Sequence, residues 1–160
     1  MGTVVIRAYE PGEASYIACL QMRFYAQAYG FKGIFEHYLL ASMASFAISG
    51  AGSQLWVAVD GDAVIGSVAI VQTEGSAAQL RWFIVAPEYQ GKGIGKKLLD
   101  TAMRFCREQA YANVFLWTFK DLDTARYLYK KYGFTRTEQK SNTEWTNRPL
   151  LEERWDALLV

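Results

Sequence analysis

The residues of this chain most able to do chemistry form a glycine-rich turn near its middle. Residues 80–97 read LRWFIVAPEYQGKGIGKK, an apolar run followed by the turn and then by an amphipathic helix pattern. The first N–H groups of a helix lack partners within it and the helix dipole adds positive charge there, so such a turn suits a phosphate. Lys92, Lys96 and Lys97 strengthen this interpretation, because cations are disfavoured at a helix N-terminus unless an anion is expected. A solvated turn with surface lysines is the alternative interpretation.

The common nucleotide-binding patterns do not match this turn. A P-loop needs Gly-x-x-x-x-Gly-Lys-Ser/Thr, which the chain lacks. A dinucleotide fingerprint needs Gly-x-Gly-x-x-Gly near the start of a βαβ unit, whereas Gly91, Gly93 and Gly95 lie two residues apart and midway along the chain. A nucleotide-binding module that uses this turn is therefore only a secondary alternative.

Two motifs together resemble a known family. Residues 90–95, QGKGIG, follow the pattern Gln-x-x-Gly-x-Gly and resemble the coenzyme A pyrophosphate loop of the GNAT family, the Gcn5-related N-acetyltransferases. The Val-x-Pro string at 85–87 looks like the end of that family's preceding strand. Residues 125–134, ARYLYKKYGF, are similar to the family's late helix and its exit into the next strand. The resemblance covers about residues 55–134.

The C-terminal half is similar to one subgroup in particular. Residues 116–140, the pair Glu144-Trp145 and residues 150–159 resemble GNAT domains that are often fused behind a MarR-type winged-helix repressor domain. We expect no such domain in this sequence, because it opens almost at once on a strand pattern. A regulatory role is nevertheless an alternative to catalysis.

Length and composition predict one globular domain spanning residues 1–160. Hydrophobic residues make up 51% of the 160 residues and charged residues 21%, which is typical of a chain with a proper core. A net charge of +1 gives no general attraction to nucleic acid or to anionic membranes. No apolar run reaches membrane-spanning length, so a cytoplasmic protein is expected. Cys19 and Cys106 are both predicted to be reduced core residues, and one histidine makes a metal site improbable.

Hydrophobic periodicity predicts alternating strands and helices without a repeat. The predicted strands are 3–8, 55–59, 63–72, 79–85, 114–118, 134–140 and 151–158, and the predicted helices are 11–29, 34–48, 93–109 and 122–132. This order matches what the resemblance implies, an α/β (α+β) GNAT acyl-CoA N-acyltransferase fold. Its mixed, mostly antiparallel central sheet is splayed in the middle and flanked by helices on both faces.

The resemblance also implies a set of cofactor-binding residues for acetyl-CoA. In the family a bulge in the strand before the glycine loop frees backbone groups, which assigns the acetyl oxygen to the N–H of Phe83 and the pantetheine amides to Val85. An ordinary buried strand is the alternative, since WFIV is apolar on both faces. The implied CoA-binding residues are Phe83, Ile84, Val85, Gln90, Gly91, Lys92, Gly93, Ile94, Gly95, Lys96 and Tyr129.

Tyr129 matches the family's general acid. A phenol can hand a proton to the departing thiolate. Without the motif, a packed aromatic residue would be the better interpretation. One position departs from the family pattern: Leu122 stands where many members carry Asn. The lost contact to the cofactor could move to Asp121 or Asp123.

The general base is harder to assign. Gln79 stands where some members carry Glu, and an amide cannot accept the proton. The candidates are Glu36, next to His37, in the region where the family builds its acceptor pocket, and Glu144, in the loop that closes the other wall. A solvated surface group is the more common role for such acids. Water could relay the proton instead. Aromatic residues that could line that pocket, or simply pack the core, are Tyr25, Phe31, Phe35 and Trp145.

These observations predict an N-acetyltransferase that moves an acetyl group from acetyl-CoA to an amine by direct attack in a ternary complex. The acceptor would be a small-molecule or protein amine. No metal, direct nucleic-acid contact or membrane contact is expected, and the protein would be a monomer or homodimer. The alternative is a non-catalytic acyl-CoA-binding sensor or regulatory protein.

Overall fold

Seven strands and four helices make up the fold of the computed structural model, which describes residues 2–159. The strands are β1 (Val4–Ala8), β2 (Gln54–Asp60), β3 (Ala63–Gln72), β4 (Ala77–Val85), β5 (Asn113–Phe119), β6 (Thr135–Asn142) and β7 (Leu150–Leu158). The helices are α1 (Glu13–Tyr29), α2 (Gly33–Ala47), α3 (Ile94–Glu108) and α4 (Asp123–Lys131). Every predicted element is present within about two residues, and the predicted fold class is confirmed. A short 3₁₀ turn at Pro87–Tyr89 was not predicted.

The strands form one sheet in the order β1-β2-β3-β4-β5-β7-β6. Neighbouring strands run antiparallel except for β4 and β5, which run parallel. That pair is registered only from Ala77 to Gln79 on β4 and from Asn113 to Phe115 on β5. Beyond those residues the two strands separate, so the sheet opens in its middle as the resemblance implied.

Helices cover both faces of the sheet. The stripe of α3 that faces the sheet, including Leu98, Leu99 and Ala102, is fully buried in a core shared with Leu116 and Trp155. On the other face α1 and α2 build a second core, in which Ile17 and Leu39 pack with residues of β2 and with Trp82. Two separately packed cores therefore lie on opposite faces of the sheet.

The two cysteines have different environments. Cys106 is fully buried against the sheet, as predicted, whereas Cys19 is exposed, so the prediction of a core position was wrong for Cys19. The buried stripe of α1 contains Ile17, Ala18 and Gln21, which turns position 19 toward solvent. Both cysteines are free thiols. No helix of residues 2–159 is long and apolar enough to cross a membrane.

A buried carboxylate joins α4 to the sheet. Glu153 on β7 is fully buried and accepts hydrogen bonds from Nε of Arg126 at 2.9 Å and from Nε1 of Trp155 at 3.1 Å. Arg136 on β6 adds a contact of 3.4 Å. Burial alone would raise the pKa of Glu153, but the bond from Trp155 and the charge of Arg126 outweigh it, so the pKa lies below its ordinary value. Because Arg126 belongs to α4, this carboxylate fixes the helix that carries Tyr129.

The first prediction concerns this anchor. Glu153→Gln should lower the free energy of unfolding by about 2 kcal/mol, because hydrogen bonds to a charged group are the stronger ones and Arg126 loses its buried partner, keeping only the exposed Asp123. The folded-state pKa is depressed, so the stabilisation is present above the unfolded value of about 4.3 and is lost as the pH falls through the folded value. Urea unfolding of both proteins at pH 7 and near pH 3 measures this difference.

The matched control is Glu74→Gln, since Glu74 is exposed in the turn before β4. That variant should change the unfolding free energy by less than about 0.5 kcal/mol. A wild-type advantage over Glu153→Gln that stayed constant as the pH fell would contradict the assignment of the effect to the ionised carboxylate.

Candidate functional site

A cleft of about 760 Å³ occupies the opening between β4 and β5. Its walls come from the α1–α2 region, from strands β4 and β5, from the loop after β4 with the start of α3, and from α4, and Glu152 of β7 also lines it. The size is in the range of pockets that hold a cofactor-sized molecule. A cleft at the point where strands part is therefore the candidate site.

Strand β4 is bulged where it borders this cleft. On β3, Ser67 pairs with Ile84 and Ala69 pairs with Arg81, so Trp82 and Phe83 both lie opposite the single residue between Ser67 and Ala69. Trp82 has φ of +48°, a left-handed conformation that is rare for a residue with a bulky side chain. The Oγ of buried Ser67 donates a hydrogen bond of 2.6 Å to the carbonyl of Trp82 and so holds the bulge in place. The alternative interpretation of residues 82–85 as part of an ordinary, unbroken strand is therefore wrong.

The consequence is a strip of free backbone. From Arg81 to Val85 the edge of β4 that faces β5 has no strand partner, because the pairing with β5 ends at Gln79. Backbone N–H and C=O groups need hydrogen-bond partners when they are withdrawn from water. An extended ligand with amide groups can supply them in the manner of an additional strand.

The loop after β4 has the backbone geometry of an anion site. Gly91 and Gly93 have φ of +78° and +80°, which only glycine adopts without strain, and a Cβ at either position would contact nothing. Gly93 is the N-cap of α3 and no side chain caps that end of the helix. The first N–H groups of α3 are therefore available to a ligand. The side-chain amide of Gln90 donates to the carbonyl of Val85 at 3.0 Å and ties this loop to the strand.

Gly95 is a glycine for a different reason. A Cβ there would lie 3.2 Å from Cζ of Phe83 and 3.3 Å from Cδ1 of Leu128, so this position is set by packing of α3 against β4 and α4. Among the lysines, Lys96 lines the cleft but already pairs with Asp100 at 3.1 Å. Lys92 lies against the ring of Tyr89 and does not line the cleft. All the other predicted cofactor-binding residues do.

Tyr129 is buried at the cleft wall with its ring 5.9 Å from that of Phe83. Burial, reinforced by the nearby Tyr25, raises the pKa of the Tyr129 hydroxyl well above its ordinary value, so the phenol stays protonated at neutral pH. Leu122 caps α4 without a side-chain hydrogen bond. Asp121 and Asp123 beside it line the cleft and are exposed.

The predicted bases do not reach this cleft. Glu36 is exposed and points away, because Phe35 and Leu39 form the inward stripe of α2. Glu144 is also exposed and accepts a weak hydrogen bond of 3.4 Å from Tyr38 at the outer edge of the site. Neither residue lines the cleft, so the sequence-based candidates for the base are not supported by their positions.

The structure places a different carboxylate on the cleft wall. Glu152 on β7 is buried, lines the cleft and lies opposite Phe119 of β5. Among the carboxylates of residues 2–159 that line the cleft, it is the one withdrawn from solvent. The amide of Asn142 donates to it at 3.2 Å. Alternation along β7 puts Glu152 and Glu153 on opposite faces, but the sequence does not indicate that the pocket lies on the Glu152 face.

Aromatic side chains form the end of the cleft beneath α1 and α2. Tyr25 stacks on Phe31 at 5.1 Å, and Phe35 contacts both Phe31 and Trp145 edge-on at 4.9 Å. Burial raises the pKa of Tyr25 to about 12. The N–H of Lys32 donates to the carbonyl of Trp145 at 2.7 Å and joins the β6–β7 loop to α2. These rings pack together and also line the cleft, and that they form an acceptor pocket stays a prediction.

A sheet that parts beside a bulged strand, followed by a glycine loop at a helix N-terminus, offers backbone partners for an extended ligand with an anionic end. A comparison with protein families identifies the class: the acetyltransferase (GNAT) domain matches residues 51–136, more than half of the chain. The chain belongs to the GNAT acetyltransferase family, whose members use acetyl-CoA.

Comparisons with individual proteins also find acetyltransferases. N-acetyltransferase 8B of Rattus norvegicus is 33% identical over 108 residues, which are 64% of this chain and 49% of that protein. The chain thus spans about half the length of the curated relatives that it matches. A GNAT-family acetyltransferase of Staphylococcus aureus superposes with a TM-score of 0.81 at 18% identity, covering 99% of this chain and 100% of that one. A Salmonella typhimurium protein solved with its cofactor acetyl-CoA gives 0.78 at 18% identity, covering 99% and 95%.

The second prediction tests the glycine loop. Gly93→Val should weaken acetyl-CoA binding at least tenfold, because a β-branched residue resists a φ of +80° and the first N–H groups of α3 would be displaced. Calorimetric titration measures the dissociation constant. Gly61→Val is the matched control, since Gly61 has φ of +61° in the β2–β3 turn away from the cleft. Equal affinities of the two variants would contradict the assignment.

Proposed function

We propose that this domain transfers an acetyl group from acetyl-CoA to a primary amine by direct attack in a ternary complex. The observation that carries the proposal is the bulge at Trp82 and Phe83 beside the unpaired edge of β4. Acetyl transfer needs a carbonyl oxygen held by a fixed donor, and such a bulge supplies one at a defined place. The cleft is large enough to bring a second substrate to the same place.

The cofactor-binding residues follow from this arrangement. The N-terminus of α3, with Gly91 and Gly93, would hold the pyrophosphate, and the free edge of β4 up to Val85 would hold the pantetheine amides. The N–H of Phe83 would donate to the acetyl oxygen. The carbonyl of Val85 accepts a bond from Gln90, so Gln90 would share or release that carbonyl when the amides bind.

Tyr129 would then be the general acid. The hydroxyl carries its proton at neutral pH, as a donor to the leaving thiolate must, and because burial raises its pKa the proton would move only as negative charge builds on the sulfur. The position of its ring, packed against Phe83, supports the assignment. Phe83 would thus position the acetyl oxygen through its backbone N–H and position Tyr129 through the packing of its ring.

The third prediction is that Tyr129→Phe lowers turnover by about a hundredfold or more while the affinity for acetyl-CoA stays nearly constant. The substitution keeps the ring and removes a proton donor that acts on charge developed only in the transition state. Steady-state rates and a binding isotherm for both proteins measure the two quantities. Tyr16→Phe, on the exposed face of α1, is the control and should match wild type. A parallel loss of affinity would make Tyr129 a binding residue instead.

We further propose that Glu152 receives the proton of the acceptor amine, directly or through one water. Support comes from its burial on the cleft wall and from its single amide partner, Asn142, which leaves carboxylate lone pairs free. Its cross-strand neighbour on β6 is Lys140, whose ammonium lies over the ring of Trp117. That ammonium packs on the ring and is not within ion-pairing distance of Glu152, so the carboxylate keeps its free lone pairs.

The fourth prediction compares three carboxylates. Glu152→Gln should lower turnover about a hundredfold near pH 7, whereas Glu36→Gln and Glu144→Gln should leave it within about twofold. The deficit of Glu152→Gln should shrink as the pH rises, because a growing fraction of the amine is already deprotonated. Rate profiles from pH 6 to 10 measure this. A deficit that is independent of pH would assign Glu152 to substrate binding or to packing.

Catalysis itself is tested against the alternative, an acyl-CoA sensor. Mass spectrometry of a panel of small amines and peptides incubated with acetyl-CoA should reveal an acetylated product, whereas a sensor would bind acetyl-CoA and form none. A link to MarR-type regulators, the oligomeric state and a cytoplasmic location stay predictions of the sequence. So does a single domain over residues 1–160.

A further inference from the structure

One cation in the cleft has no anion to balance it. Arg81 on β4 lines the cleft and is partly buried. Its guanidinium donates a long hydrogen bond of 3.4 Å to the amide oxygen of Gln79 and lies 5.2 Å from the ring of Trp82. Within residues 2–159, no carboxylate lies at ion-pairing distance from it.

An unpaired guanidinium away from bulk water is unfavourable. Burial lowers the pKa of Arg81, which reports that its charge is destabilised there. Charged groups withdrawn from solvent are normally paired or fully hydrogen-bonded, and Arg is the residue that matches a carboxylate with two parallel bonds. An arginine left open toward a cleft therefore indicates an anionic group on a ligand.

The phosphates of acetyl-CoA are not that group. Arg81 lies four residues before Val85, which would span about 13 Å along a regular strand and spans less across the bulge at Trp82, and the glycine loop follows beyond Val85. The segment of acetyl-CoA assigned to this part of β4 is uncharged. The anion must then belong to the other substrate.

We propose that Arg81 binds the carboxylate of the acceptor, and that the acceptor is a free α-amino acid with a large apolar side chain. This inference rests on the proposed acetyl transfer. In an α-amino acid one carbon separates the amine from the carboxylate. Arg81 and Phe83 are two residues apart, so a carboxylate at Arg81 brings the amine beside the backbone that would hold the acetyl oxygen.

The rest of the cleft matches such a molecule. The aromatic side chains beneath α1 and α2 offer an apolar surface for the amino acid side chain. The balanced reaction forms a bond between the amine nitrogen and the acetyl carbon and breaks the carbon–sulfur bond. Bound as the ammonium, the acceptor nitrogen loses two protons: Glu152 takes the first before attack and passes it to solvent, and the second, released as the amide forms, replaces the proton that Tyr129 gives to the thiolate. The products are an N-acetyl amino acid and CoA.

The test compares acceptors with and without the carboxylate. Wild type, Arg81→Met and the control Arg107→Met, at an exposed position near the end of α3, are each assayed with L-phenylalanine, L-phenylalaninamide and phenethylamine. Thiol release and mass spectrometry give kcat/KM, and calorimetry checks acetyl-CoA binding. Differences in amine basicity cancel because the same acceptors are used with every protein.

We expect wild type and Arg107→Met to prefer phenylalanine over its amide, and Arg81→Met to lower that preference about 10- to 100-fold, the size of a lost charge-assisted pair. Arg81→Lys should retain part of it, since it keeps the charge without the bidentate geometry. Met replaces an unpaired charge by an apolar chain of similar length, so the fold should be kept; unchanged acetyl-CoA binding verifies this.

Three results would overturn the inference. If wild type acetylates phenylalaninamide or phenethylamine with the same kcat/KM as phenylalanine, Arg81 does not bind the carboxylate of an acceptor. The same conclusion follows if Arg81→Met keeps the wild-type preference. In both cases the proposed acetyl transfer would still be supported. If wild type binds acetyl-CoA and acetylates none of the three, the proposed acceptor class is wrong. The panel of small amines and peptides then decides separately whether the protein is an acetyltransferase.

Discussion

The separation of β4 from β5 is the constraint on which the rest of the structure depends. Two parallel strands that stay paired bury all their backbone groups and leave no room between them. Here they are registered for three residues at Ala77–Gln79 and then part, because the bulge at Trp82 turns β4 away. The same divergence creates the cleft and the unpaired edge of β4. It also lets Arg81, Glu152 and Tyr129 line one cleft.

Hydrogen bonds between the elements around the cleft hold these elements in place. Glu153 fixes α4 to β7 through Arg126, and the hydroxyl of Tyr132 at the end of α4 donates to the carbonyl of Lys96 on α3 at 3.0 Å. At the other end, the bond from Lys32 to Trp145 joins the β6–β7 loop to α2. Each wall is therefore held by polar contacts that lie outside the cleft, which leaves the cleft's own side chains free to serve ligands.

The sequence was sufficient to locate the elements and most of the residues on the glycine-loop side of the cleft. Periodicity and glycine placement located every strand and helix, and Tyr129 and the loop at residues 90–95, apart from Lys92, line the cleft. Those features are local, since a few consecutive residues determine a helix start or a left-handed glycine. The prediction for Cys19 failed because it depended on which stripe of α1 faces inward.

The acceptor half depends on contacts between residues far apart in the chain. Glu36 and Glu144 were chosen from the segments in which they occur, but the register of α2 and the edge of the β6–β7 loop turn both outward. Glu152 reaches the cleft because β7 lies beside β5, and Arg81 reaches it because β4 separates from β5. Neither residue has a neighbouring sequence pattern that would indicate such a position, so sequence reasoning could not have selected them.

The bulge has its own support on a different strand. Ser67 of β3 holds the carbonyl of Trp82, and beside it a Cβ at Gly66 would come within 2.7 Å of the backbone oxygen of Ile84. Two of the smallest residues therefore set the conformation of β4 without facing a substrate. Natural variation at positions 66 and 67 should consequently be as restricted as variation at residues that do the chemistry. A redesign of the cleft would keep the shape of β4 by leaving that pair untouched and by varying the aromatic wall instead.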